Sequence, residues 1–107
     1  MWYDIYMKLE HISAEIVKKE IRDIVEKYLD LKIYKVFVFG SRVTGKSHER
    51  SDIDIGIKGP EAIPLATMGA IREDIEKLPH LYTIEVIDFM TVAPEFEQHA
   101  KEHIEEL

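Results

Sequence analysis

One short stretch, Ser51-Asp52-Ile53-Asp54-Ile55-Gly56-Ile57, constrains the fold of this 107-residue chain more than any other. Its acidic and apolar residues alternate, and successive side chains point to opposite faces of a β-strand. The isoleucines would therefore enter a core, while Asp52 and Asp54 would share the other face about 6–7 Å apart. Two carboxylates on one face repel each other, and aspartate is a poor strand former. A hard cation such as Mg²⁺, which prefers oxygen ligands, would relieve that repulsion.

A glycine-bounded segment precedes this strand. Gly40-Ser41-Arg42-Val43-Thr44-Gly45 follows the apolar run Ile33–Phe39, which is predicted to be a strand buried on both faces near its end. A small polar turn of this kind can present backbone N–H groups to a phosphate. A phosphate-binding turn beside paired carboxylates indicates nucleotide chemistry.

Composition narrows the class of protein. The chain has no cysteine, which excludes disulfides and thiolate metal sites and favours a reducing, cytoplasmic location. Its net charge of −7 argues against nonspecific nucleic-acid binding, which needs clustered Lys and Arg. We see neither a signal peptide nor an apolar run long enough to cross a membrane. The expected protein is cytoplasmic and globular.

The order of predicted elements indicates an α+β fold. Apolar spacing predicts a helix from an N-cap at Ser13 to about Leu29, and later strands over about 52–57 and 81–89. Pro64 would open a helix whose buried stripe is Leu65, Met68, Ile71, Ile75 and Leu78. Thr91 would cap a final helix carrying Phe96, Ala100, Ile104 and Leu107. We expect a small mixed sheet of three or more strands covered by helices. It would form a single domain over 1–107, with its core at about 30–90 and flanking N- and C-terminal helices.

A competing motif uses the same glycines. Residues 40–47 read GSRVTGKS and match the P-loop pattern G-x-x-x-x-G-K-[ST] after an apolar strand. In a P-loop, Lys46 and Ser47 would open a helix facing the phosphates. Here His48-Glu49-Arg50-Ser51 leads directly into the next strand. Because no helix fits, we reject the P-loop interpretation.

The combined motif resembles the minimal nucleotidyltransferases of the DNA polymerase β-like superfamily, of the kind paired with HEPN proteins. The resemblance is strong over about 36–57 and weaker from about 13 to the C-terminus. It rests on seven residues: Gly40, Ser41, Arg42, Gly45, Ser51, Asp52 and Asp54.

The resemblance implies a role for each matching residue. Asp52, Asp54 and a third carboxylate, Glu85, would be catalytic and would hold two Mg²⁺ ions. The substrate would be an NTP, with ATP expected, bound by Gly40, Ser41, Arg42, Gly45 and Ser51. The sequence departs from the family in two places. Glu85 stands where an aspartate is usual, which leaves Asp88 open as the alternative, and Thr44 replaces a residue that is often basic.

The resemblance also implies a partner. Such proteins pair with a small all-helical HEPN-type protein, and the nucleotidyltransferase can act as an antitoxin by moving AMP to a hydroxyl of that toxin. Two alternatives remain: a non-catalytic module that neutralises its partner by binding, and the catalytic subunit of a two-component enzyme that modifies small molecules such as antibiotics. Self-association into a homodimer is a further expectation, whereas membrane and nucleic-acid partners are not expected.

Overall fold

The computed structural model of the chain describes residues 2–39, 52–78 and 83–107, with side chains from residue 15 onward except that of Asp52. In chain order the elements are helix α1 (Trp2–Tyr28), strands β1 (Lys35–Phe39) and β2 (Asp52–Lys58), helix α2 (Leu65–Glu76), strand β3 (Thr83–Asp88), helix α3 (Pro94–Ala100) and strand β4 (Ile104–Glu106). Within the described ranges, none of the helices combines the length and the apolar composition that crossing a bilayer requires.

The four strands form one mixed sheet in the order β3-β2-β1-β4. Strand β1 is antiparallel to both β2 and β4, whereas β2 and β3 are parallel. A parallel pair needs a crossover connection, and α2 lies between β2 and β3 in the chain. The predicted α+β architecture with a mixed sheet is confirmed.

The larger core lies between one sheet face and helices α1 and α2. Ile53, Ile55 and Ile57 are fully buried there, as their alternation with the aspartates predicts. Helix α1 contributes Ile21 and Val25 to the same cluster, and α2 contributes further apolar side chains. Burial of these β-branched residues supplies much of the free energy that fixes the strand register, because a one-residue slip would expose them.

A polar contact joins the end of α1 to α2. The Tyr28 hydroxyl donates a 2.7 Å hydrogen bond to the Asp74 carboxylate, and Lys27 Nζ donates to the same oxygen at 2.9 Å. Both hydrogen bonds lower the pKa of Asp74, and the hydrogen bond from Tyr28 has the larger effect. These hydrogen bonds join the C-terminal end of α1 to α2, the two helices that cover the core.

The opposite sheet face carries an aromatic cluster. The Phe89 ring packs edge-on against Phe37 and Phe39 at centroid distances of 5.0 and 5.1 Å, and Phe96 from α3 lies 6.1 Å from Phe39. Gly56 of β2 lies beneath these rings. A Cβ added at Gly56 would lie 2.5 Å from a Phe37 ring carbon and 2.6 Å from a Phe89 ring carbon. The cluster therefore fills the middle of this face.

Helix α1 corrects the predicted start of the first helix. Ser13 is not an N-cap, because α1 begins at Trp2 and runs through it. The apolar spacing explains the difference, since Ile5, Leu9 and Ile12 continue the helical periodicity upstream of Ser13. An internal serine costs little in a helix whose periodicity extends on both sides of it.

The C-terminal prediction was wrong in part. The helix begins at Pro94, which has no N–H to leave unsatisfied, and Thr91 instead donates its hydroxyl to the Asp88 carbonyl at 2.8 Å. It ends at Ala100, and Ile104–Glu106 pairs with Phe37–Phe39 as β4. The spacing of Phe96, Ala100, Ile104 and Leu107 suits a helix, but the unpaired edge of β1 offers backbone hydrogen bonds that a helix would leave unused.

Two smaller corrections concern element limits. The first strand begins at Lys35 rather than at Ile33. Leu65, expected in the buried stripe of α2, is 89% exposed, because it is the first residue of that helix, while Met68, Ile71 and Ile75 are buried as predicted.

Candidate functional site

The predicted phosphate-binding residues lie outside the described part of the chain. They are Gly40, Ser41, Arg42, Gly45 and Ser51, together with the departure at Thr44. The described residues on either side are the last of β1, Phe39, and the first of β2, Asp52. Strand β2 begins at Asp52 and runs antiparallel to β1, whereas Lys46 and Ser47 of the rejected P-loop interpretation lie outside the described residues.

Strand register brings two of the three predicted carboxylates together. Asp54 of β2 and Glu85 of β3 are Cα partners in the parallel pair, and Asp52 pairs with Thr83. Neighbouring strands lie about 4.8 Å apart, and paired residues point to the same face. Asp54 is half-buried and Glu85 is exposed. The two residues therefore share the sheet face that also carries the aromatic cluster.

The alternative third carboxylate, Asp88, lies on the other face. It pairs in register with Ile57 and is only 5% exposed. Its two oxygens accept backbone hydrogen bonds from Ile63 at 2.7 Å and from Met90 at 3.0 Å. Asp88 therefore holds the segment before α2 against the end of β3, and its carboxylate is occupied away from Asp54.

A cavity of about 290 Å³ adjoins Glu85. Arg72 and Glu76 of α2 line it together with residues of β3. The Arg72 guanidinium donates to the Val86 carbonyl at 2.8 Å, which satisfies a backbone acceptor of the edge strand next to Glu85. Arg72 has no signal in the sequence, because a lone arginine on an amphipathic helix carries no distinguishing pattern.

The donor set suits a hard cation. Asp54 and Glu85 offer carboxylate oxygens, and the chain contains no cysteine, so the chemistry fits Mg²⁺ better than a soft metal. Among the described residues, no three His, Asp or Glu side chains come close enough together to hold a metal ion. The carboxylate of Asp52 is not among the side chains that the structure describes. The predicted three-carboxylate site thus stays a prediction.

Comparison with known proteins gives consistent matches. A family model described as polymerase beta, nucleotidyltransferase, matches residues 19–107. A probable protein adenylyltransferase, MntA of Haemophilus influenzae, is 27% identical over 84 residues, which cover 77% of this chain and 74% of that protein.

Solved structures of toxin–antitoxin complexes share the fold. The crystal structure of a toxin–antitoxin with AMP-PNP superposes with a TM-score of 0.65 at 17% identity, covering 82% of this chain and 69% of that chain. The complex of a tri-AMPylated HEPN toxin with its MNT antitoxin, from Shewanella oneidensis, gives 0.64 at 13% identity, covering 86% and 69%. Similarity at this level of identity establishes a common fold.

Proposed function

Because this chain belongs to the polymerase beta nucleotidyltransferase family, we propose that it transfers AMP from ATP to a hydroxyl group of a small helical HEPN-type partner protein. The register pairing of Asp54 with Glu85 carries the proposal. It sets two carboxylates on one face of adjacent parallel strands, and Asp54 lies on the strand that follows residues 40–45 in the chain. The name of the Haemophilus relative and the AMPylated toxin in the Shewanella complex support AMP as the group transferred and a protein as the acceptor.

In the proposed reaction an acceptor oxygen attacks the α-phosphorus of ATP. A new O–P bond forms, the bond between the α-phosphorus and its bridging oxygen to the β-phosphate breaks, and pyrophosphate leaves. Bound Mg²⁺, as two ions, would neutralise charge on the attacking and leaving oxygens. Asp52 and Asp54 would hold the cations, and Glu85 would complete the site and accept the hydroxyl proton directly or through water.

The glycine turn would hold the phosphates. Gly40 and Gly45 allow the backbone to approach them closely, and Ser41 would contribute a hydroxyl and an N–H. Arg42 would offset phosphate charge, and Ser51 would complete the turn before β2. These five assignments follow from the family resemblance.

A label-transfer assay tests the proposal. The full chain, Mg²⁺ and ATP labelled at the α-phosphate are incubated with extract of the source organism. The Asp52→Asn/Asp54→Asn double variant is the negative control, and Glu73→Gln, which removes an exposed carboxylate from α2, is the matched control. We expect label on a small protein with wild type and Glu73→Gln only.

Other outcomes separate the alternatives. Label on a small molecule would indicate the two-component small-molecule enzyme. Absence of any wild-type-specific label, with other NTPs also tried, would contradict the transferase proposal and favour a module that neutralises its partner by binding alone.

A further inference from the structure

A second groove lies on the sheet face of Asp54 and Glu85, at the other end of β2. It encloses about 720 Å³ and is lined by three lysines, Lys35, Lys58 and Lys101, beside the apolar residues Ile33, Phe37 and Ile104. We call it the lysine groove. Asp54, Gly56 and Lys58 alternate along one face of β2, so four residues, or about 13 Å, separate the acidic residue Asp54 from Lys58.

The lysine groove contains a pair of like charges, Lys35 and Lys58, whose repulsion a bound anion would reduce. Lys35 and Lys58 are Cα partners in the antiparallel pair of β1 and β2. Like charges directly opposite each other destabilise a sheet. The position is the cationic counterpart of the paired carboxylates at the other end of the same face.

The carboxylates near the groove neutralise only part of this charge. Glu97 contacts Lys58 and also accepts a hydrogen bond from Lys101 at 2.8 Å, which lowers the pKa of Glu97. Lys35 makes no ion pair with any carboxylate that the structure describes. With Glu106 also in the lining, three ammonium groups meet two carboxylates, which leaves one net positive charge on a chain of net charge −7.

Apolar side chains border these charges. Ile33 and Ile104 are 56% and 41% exposed, and they flank a floor formed by the buried ring of Phe37. Exposed isoleucines gain from contact with another apolar surface, at about 25 cal/mol per Å² removed from water. An occupant of this groove should therefore carry both carboxylates and large apolar side chains.

We propose that the lysine groove binds an acidic amphipathic segment of a partner protein. Nucleic acid fits less well, because the described lining contains no arginine and its exposed apolar residues are isoleucines rather than rings on which bases stack. That the bound partner is also the AMP acceptor rests on the proposed function. Docking in the lysine groove would hold the partner on the sheet face that carries Asp54 and Glu85.

Binding of a defined peptide tests this proposal. The probe is a fluorescently labelled synthetic peptide of about 14 residues, four helical turns, with Glu and Leu at i, i+3 and i+4 spacing. Its anisotropy is followed as the full chain is added without nucleotide. We expect saturable binding that weakens with added salt, and no binding by a peptide with Lys in place of Glu.

Two charge reversals locate the site. Lys35→Glu, on the exposed start of β1, should raise the dissociation constant about fivefold or more. Lys77→Glu makes the same charge change at an exposed residue that follows α2, and should leave the dissociation constant within twofold. Circular dichroism spectra of both variants should match that of wild type.

Three results would overturn the proposal: no saturable binding up to about 1 mM peptide, equal weakening by Lys35→Glu and Lys77→Glu, or tighter binding of an oligothymidylate of the same charge. The assay contains no ATP, so its failure would leave the transferase proposal standing. Conversely, absence of label transfer would leave this binding result unaffected.

Discussion

At the scale of single residues, strand register separates two carboxylates that the sequence alone leaves as alternatives. Glu85 and Asp88 lie three residues apart on β3, so they point to opposite faces. Glu85 pairs with Asp54, whereas Asp88 is buried and bonded to the backbone N–H groups of Ile63 and Met90. The sequence predicts that Glu85 and Asp88 lie on opposite faces of a strand. The backbone partners of Asp88 were not predictable, because they lie in segments that only the tertiary structure brings together.

Substitution of these two residues should give opposite phenotypes. Glu85→Gln should lower the rate of AMP transfer about a hundredfold or more through loss of the third carboxylate, with little change in stability because the side chain is exposed. Asp88→Ala should destabilise the protein by about 1–3 kcal/mol, because a buried N–H loses its partner. Urea unfolding and single-turnover label transfer measure both effects. Full activity of Glu85→Gln would remove it from the site.

At the scale of elements, two glycines in neighbouring elements should respond differently to the same change. At Gly56 in β2 a methyl group would collide with the rings of Phe37 and Phe89, and Gly56→Ala should cost about 1–3 kcal/mol. At Gly69 in α2 a methyl group would meet nothing within 4 Å, so Gly69→Ala should stabilise the protein by about 0.5–1 kcal/mol. Urea unfolding of the two variants decides this. Equal effects would contradict the packing of the rings over β2.

Elements with a strong internal pattern were predictable, and those decided by distant contacts were not. The alternation of Ile53, Ile55 and Ile57 with Asp52, Asp54 and Gly56 predicts both the existence and the buried face of β2. Strand β4 has no such pattern, because its three residues are all exposed and gain their order from pairing with β1. The sequence predicts too late a start for α1, because Ser13 is an acceptable cap although the apolar periodicity continues upstream of it.

At the scale of the whole molecule, one sheet face carries opposite charges at its two ends. Asp54 and Glu85 lie at one end, Lys35 and Lys58 at the other, and the aromatic cluster over Gly56 separates them. The acidic end was visible in the sequence because its residues belong to one motif. The lysine groove was not, because Lys35, Lys58 and Lys101 come from three separate elements or their ends.

Binding of ATP and Mg²⁺ should stabilise the whole chain if the acidic end is the nucleotide site. A ligand that binds only the native state adds about 2.7 kcal/mol at a hundredfold excess over its dissociation constant, which for a chain of this size raises Tm by roughly 10 °C. Thermal unfolding with ATP and Mg²⁺, against ATP with EDTA, measures this shift. Asp54→Asn should abolish it and Glu73→Gln should keep it, since Glu73 lies on α2 and pairs only with Lys77 among the residues that the structure describes. An undiminished shift in Asp54→Asn would mean that ATP binds without this carboxylate, and an undiminished shift with EDTA would mean that ATP binds without the metal. A normal shift in a protein that transfers no label would instead identify a module that binds nucleotide but does not use it.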